Sequence, residues 1–255
     1  MFARDLSAGK PVRDVPAADD RDVVMTANAR RGEIFFPLMG LVLLALVIAG
    51  FVPPAFSRPG GPAAIPLLLH VHGAIFAGWF VLFIAQARLI GAGNARLHRR
   101  IGAASLILAL AIVVLGFAVI GGAYARPDWS IAGLSPAASV MFPFTDIVNF
   151  TAAFALAFVN RHNPAAHKRF MLLAGILIMD PAVARLVATA GLPVPMILVI
   201  ELALLAALIV YDIRTRRRPH WASLTGVALF AAAMFAKLVI AGSAGWATFV
   251  DGLFG

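Results

Sequence analysis

The chain has 255 residues, 62% of them hydrophobic and only 13% charged, with a mean hydropathy of +0.92. A water-soluble domain carries about 25% charged residues, so most of this surface must face lipid. The absence of cysteine excludes disulfides, thiolate catalysis, iron–sulfur ligation and covalent haem attachment. The net charge of +9 would suggest nucleic acid in a soluble protein, but in a membrane protein cations gather in cytoplasmic loops, and no nucleic-acid partner is expected.

Residues 1–33 come first and differ in kind. They carry Arg4, Lys10, Arg13, Arg21, Arg30 and Arg31 against Asp5, Asp14, Asp19, Asp20, Asp22 and Glu33, with no sustained apolar period. The stretch is expected to be a flexible cytoplasmic tail. It lacks the form of a cleavable signal, because the first apolar run is long enough to span.

A helix crossing a bilayer needs about 20 apolar residues. Residues 34–255 supply seven such runs: Ile34–Val52, Ile65–Leu89, Ile101–Gly122, Val140–Val159, Phe170–Ala190, Met196–Tyr211 and Ala222–Ala241. Breakers separate them, such as "VPPAFSRPGGP" after the first and "GLPVP" after the fifth. The expected fold is an all-α polytopic bundle.

The cations set its orientation. Arg88, Arg96, Arg99, Arg100, Arg161, Lys168, Arg169, Arg214, Arg216, Arg217 and Arg218 lie on the side of the tail; the opposite loops hold only Arg58 and Arg126. The N-terminus is therefore expected inside and the C-terminus outside, in the inner membrane of a bacterium.

Two junctions repeat one theme, His98-Arg99-Arg100 and His167-Lys168-Arg169. Both are expected at the cytoplasmic rim, where the cations meet anionic lipid headgroups. A shared site for an anionic group is the alternative, with ring nitrogens and guanidinium groups as donors.

The stretch "HVHGAIFAGWFVLFIAQARLIGAGNARLHRRIG" and the later "HKRFMLLAGILIMDPAVARL" resemble a group of uncharacterised bacterial multi-pass membrane proteins. That group pairs a His-Arg-x-hydrophobic-Gly hairpin with a His-basic-x-aromatic/Met helix, a domain of unknown function. The matching positions are His70 or His72, His98, Arg100, Gly102, His167, Arg169, Met171 and Arg185. The resemblance implies an integral membrane protein and no particular chemistry.

Ionisable groups inside spans cost about 2.5–3.5 kcal/mol each on insertion scales, so each needs a partner or a task. At 1.5 Å per residue, His72, Asp146, Arg185, Glu201 and Lys237 all fall about 6–10 Å from the outer surface, and Asp180 lies deeper. The six form the candidate ligand-binding site, expected to serve transport or the binding of protons or a small polar ligand. Pro181 cannot donate to the Leu177 carbonyl, so the fifth span should kink beside Asp180. The alternative is structural: ion pairs that only fix helix register in an assembly subunit.

A haem b would need two histidines at one depth on different helices. His98 and His167 are the symmetric choice; His70 and His72 share a helix and point about 200° apart. No metal-binding spacing, phosphate loop or nucleophile elbow is present, so no cofactor, metal or catalytic residue is assigned beyond that haem alternative.

Overall fold

A computed structural model describes the backbone from Asp20 to Gly255 and the side chains from Ile34 onward. Every regular element among the described residues is a helix: α1 (Asp20–Ser57), α2 (Leu67–Gly91), α3 (Ala95–Tyr124), α4 (Pro136–Val159), α5 (Pro164–Ile176), α6 (Asp180–Thr189), α7 (Met196–Arg216), α8 (Trp221–Phe235) and α9 (Ala244–Phe254), with a short 3-10 turn at Gly61–Ala64. The chain is thus a helical bundle. Helix α1 begins at Asp20, inside the stretch expected to be tail; the rest of that tail lies outside the described residues.

Among the described residues, six helices are long and apolar enough to cross a membrane, and α5 with α6 makes a seventh crossing if the bent pair counts as one span. Local chemistry sets the boundaries. Asn94, Ser135, Asn163 and Ser243 each accept a main-chain N–H with their side chains at the start of α3, α4, α5 and α9. Such caps satisfy donors that the first turn leaves free. Pro136 and Pro164 then occupy first-turn positions where no N–H is needed. At the other end of α7, Arg217 takes a left-handed conformation, φ 63°, and stops the helix.

Large apolar side chains project outward from many of the spans, among them Leu41, Ile107, Leu110, Val199, Leu202 and Leu224. Only lipid can solvate so much of the surface of a bundle cheaply. The interior is closely packed by comparison. Trp79 of α2 is 2% exposed and meets Phe150 of α4 edge-on at 4.9 Å. The main core joins α1 through α8. A smaller cluster joins the far ends of α3 and α4 to α9, through Ile120, Val140, Met141, Ile147, Trp246 and Val250.

Helix α9 follows the seventh apolar run and was not anticipated there. It folds back onto α4, where the Trp246 indole donates to the Ala137 carbonyl at 2.7 Å, and Asp251 accepts the Tyr124 hydroxyl of α3.

Two helices depart from regular geometry, and both departures lie beside buried charge. The fifth span breaks at Leu177–Met179, leaving α5 and α6 bent by 43° with Pro181 in the first turn of α6. This is the kink that the proline imposes. The eighth helix ends in a π-helical turn, Ala236–Ile240, that carries Lys237.

Candidate functional site: a carboxylate cluster around Lys237

The break and the π-turn face one another across α4. From the π-turn, the Lys237 ammonium reaches two carboxylates. It donates to Asp180 Oδ2 at 2.5 Å and to Asp146 Oδ1 at 3.2 Å. Asp180 is the first residue of α6, where the positive end of the half-helix favours a negative charge. Asp146 stands one turn beyond Pro143 in α4. A proline there withholds a main-chain donor, and Thr145 turns its hydroxyl onto the Met141 and Phe142 carbonyls, both at 2.9 Å.

Asp146 is 3% exposed, and its second oxygen, Oδ2, has no hydrogen-bond partner. A cavity of about 10 Å³ lies beside it, lined by Asp146, Asn149, Glu201, Phe230 and Lys237 together with the last turn of α5. That is space for about one water. Glu201 of α7 is 7% exposed and near enough to interact with Asp146, Asp180 and Lys237. The Lys237 ammonium also sits 5.4 Å from the centre of the Phe142 ring. Two carboxylates, from α4 and α6, therefore hold one ammonium, and a third, from α7, borders the same small cavity.

The expected layer of His72, Asp146, Arg185, Glu201 and Lys237 divides in two. Asp146, Glu201 and Lys237 converge, and Asp180, expected deeper, joins them. His72 and Arg185 pair off elsewhere. His72 packs against Phe76 with its Nδ1 buried and unpartnered, and it lies near Arg185. The Arg185 guanidinium donates to the Pro181 carbonyl at 2.9 Å and covers the Phe51 ring at 4.7 Å. It has no carboxylate partner among the described residues. The separation follows from the bend, because Arg185 lies past it on α6 and faces outward.

The cation-rich end of the bundle is also divided. Arg99 and Arg100 are exposed, as headgroup contacts would require. Lys168 is half-buried and lays its ammonium 4.8 Å from the centre of the Phe36 ring. Arg169 was expected at the rim, but it is drawn inside at 2% exposure and pairs with Asp212 of α7. Its Nε donates to Asp212 Oδ1 at 2.8 Å, and another guanidinium nitrogen donates to the Ala165 carbonyl.

Asp212 Oδ2 in turn accepts from the His220 main chain at 2.9 Å and from the Ser223 hydroxyl at 2.6 Å. Sequence reasoning missed Asp212, because the dense cations beside it mark the end of a span. His167 donates from Nδ1 to the Ala157 carbonyl at 2.9 Å, and His98 keeps a buried Nδ1 without a partner. Gln86 of α2, also missed, is 8% exposed with both amide atoms unpartnered. Among the described residues, no group of three or more His, Asp or Glu is placed to hold a metal ion.

No family model, curated protein or solved structure matches the chain. The chemistry of the two buried clusters is therefore the basis for a functional reading. At the cation-rich end, Arg169 and Asp212 satisfy one another and their neighbours, as a structural lock does. At the helix break, acidic side chains outnumber the one cation and one carboxylate oxygen is left without a donor.

Proposed function

We propose that the protein is a proton-exchanging membrane carrier, with the cluster of Asp146, Asp180, Glu201 and Lys237 as its proton-binding site. One observation carries this reading: Asp146 Oδ2 is buried without a partner, although Asp146 and Asp180 both bond to the Lys237 ammonium and Glu201 lines the adjoining cavity. Two unit charges 4 Å apart interact by about 4 kcal/mol at an effective dielectric constant of 20. Three ionised acids around one lysine would leave two uncompensated negative charges in a dry site. Protonating Asp146 or Glu201 removes one of them, and the proton on Asp146 gives Oδ2 a hydrogen to donate.

The surrounding elements suit a carrier. Asp180, at the positive end of α6, holds the Lys237 ammonium while Asp146 gains and loses its proton. The neighbouring cavity accommodates the water that delivers it. Broken helices with charged residues at the break are the recurring design of ion-coupled transport sites, where half-helix ends face the transported species. A change in the charge of Asp146 alters its hold on Lys237, and thereby the link between α4, the break and the π-turn.

The setting proposed with it is the inner membrane of a bacterium, the N-terminus inside, with Arg99, Arg100 and their neighbours against anionic headgroups. The experiment is a proton-flux assay. Purified protein in liposomes containing a pH-sensitive dye should collapse an imposed pH gradient faster than empty liposomes, and Asp146→Asn should return the rate to background. A wild-type rate equal to that of empty liposomes, or an Asp146→Asn rate equal to wild type, contradicts the reading.

A further inference from the structure

We propose that the position held by the Lys237 ammonium is also the binding site for a small primary amine, carried as its cation, for which the lysine is a tethered stand-in. This rests on the cluster being the exchange site of a carrier, and it names the class of substrate that site takes.

The argument begins with what surrounds the ammonium. A primary ammonium has three N–H donors. Lys237 spends two of them on Asp180 Oδ2 and Asp146 Oδ1, while the Phe142 ring lies 5.4 Å away on another side. Carboxylates together with an aromatic face make a cation site of the kind used for organic ammonium groups. The site also offers more than the lysine uses. Asp146 Oδ2 is an acceptor without a donor at 97% burial of its residue, and it borders the cavity that Glu201 also lines.

Size then decides how an amine enters. The cavity of about 10 Å³ holds one water, so an amine cannot sit beside the lysine head. It must take the lysine's place. Lys237 belongs to a π-helical turn, a geometry found mostly as single turns and often at functional sites. Returning such a turn to α-helix turns the following residues by about 100° and swings an attached side chain off its partners. With the ammonium withdrawn, Asp146 and Asp180 are left to a cation from outside. The amine's carbon substituent then lies against the apolar wall of Ile176, Leu177, Phe230 and Met234.

The same chemistry sets selectivity. A primary amine reproduces the lysine's hydrogen bonds, a quaternary ammonium has no N–H to give, and protons compete by neutralising the carboxylates. A bare monovalent cation such as sodium brings charge without donors and ranks below the amine.

The test is equilibrium binding of radiolabelled methylammonium to the full chain in nanodiscs. Wild type should bind it saturably, with competition from excess protons and unlabelled methylammonium but not from tetramethylammonium or sodium. Asp146→Asn should lose binding. Lys237→Met, lacking the internal competitor, should bind about tenfold more tightly, as expected when the competent state rises from a tenth of the population to nearly all of it. Absent binding, binding indifferent to Asp146→Asn, equal competition by tetramethylammonium or sodium, or unchanged affinity in a folded Lys237→Met each overturns the proposal. Should Lys237→Met fail to fold, the competition series and Asp146→Asn decide the matter alone. Proton flux without methylammonium binding removes this inference and leaves the carrier reading intact. Binding without flux removes the carrier reading, and with it the amine's role as a carried substrate, and leaves an amine-binding site alone.

Discussion

Arg169 and Asp212, 43 residues apart in sequence, form an ion pair that neither water nor lipid reaches, at 2% and 0% side-chain exposure. The pair ties the start of α5 to the end of α7, and Asp212 extends the tie to the start of α8 through His220 and Ser223.

Removing one partner of a buried pair strands the other, at a cost of about 3–5 kcal/mol. Arg169→Leu and Asp212→Ala should each lower the stability of detergent-solubilised protein by that order. The double variant should lose less than the sum of the two. Unfolding followed by circular dichroism gives all three values, and strict additivity would show that the two groups do not depend on one another.

His220 makes the same corner sensitive to acid. Its ring Nδ1 accepts the Ala222 main-chain N–H, an arrangement that requires an unprotonated nitrogen. Burial first, then the charges of Arg169, Arg216 and Lys168, outweigh Asp212 and hold its pKa below the ordinary 6.5. The folded chain therefore binds this proton less readily than the unfolded chain. The associated stability is present above pH 6.5 and declines as the pH falls below it. His220→Asn keeps a capping side chain and removes the titration, so its stability should fall less than wild type between neutral and mildly acidic pH. Parallel pH profiles for the two proteins would sink this assignment.

At Gly50, α1 lies close against the half-helix α6. A Cβ at that position would come within 2.2 Å of the Ala182 carbonyl oxygen, a main-chain atom that cannot yield without moving the helix. Gly50→Ala should therefore destabilise by about 1–3 kcal/mol, the usual scale of overpacking. Gly73 has open space around its would-be Cβ, and Gly73→Ala should be neutral or slightly stabilising. Thermal unfolding of the two variants side by side makes the comparison.

The absence of cysteine makes topology directly measurable. A single cysteine at Arg217, in the cation-rich turn after α7, should react with an impermeant maleimide only in inverted vesicles. One at Gly252, in α9, should react in intact cells. Labelling of both from the same side would show that α8 does not cross the membrane.

The broad architecture was legible because its causes are local. Apolar runs between cations and Pro/Gly clusters mark the spans, and Pro181 marks the break beside Asp180. Helical rise alone puts Asp146, Glu201 and Lys237 at one expected level. It does not give their pairing, because depth says nothing of rotation about a helix axis. Arg185 was expected with the acids at its own level, yet the 43° bend directs it to the Phe51 ring instead.

The π-turn has no signature in "FAKLVIAG", and Asp212 is hidden among arginines that composition assigns to lipid headgroups. One available signal was passed over. Pro143, a turn before Asp146, disturbs α4 as Pro181 does its own span, and two prolines beside two intramembrane carboxylates point to one site.

Whether Asp146 takes up and gives back a proton can be observed directly by difference infrared spectroscopy of the protein in lipid, stepped through pH. The account predicts a carboxylic-acid carbonyl band that is present at low pH, vanishes as the pH rises, and is reduced or missing in Asp146→Asn. A spectrum with no titrating acid band, or one that Asp146→Asn leaves untouched, would contradict it.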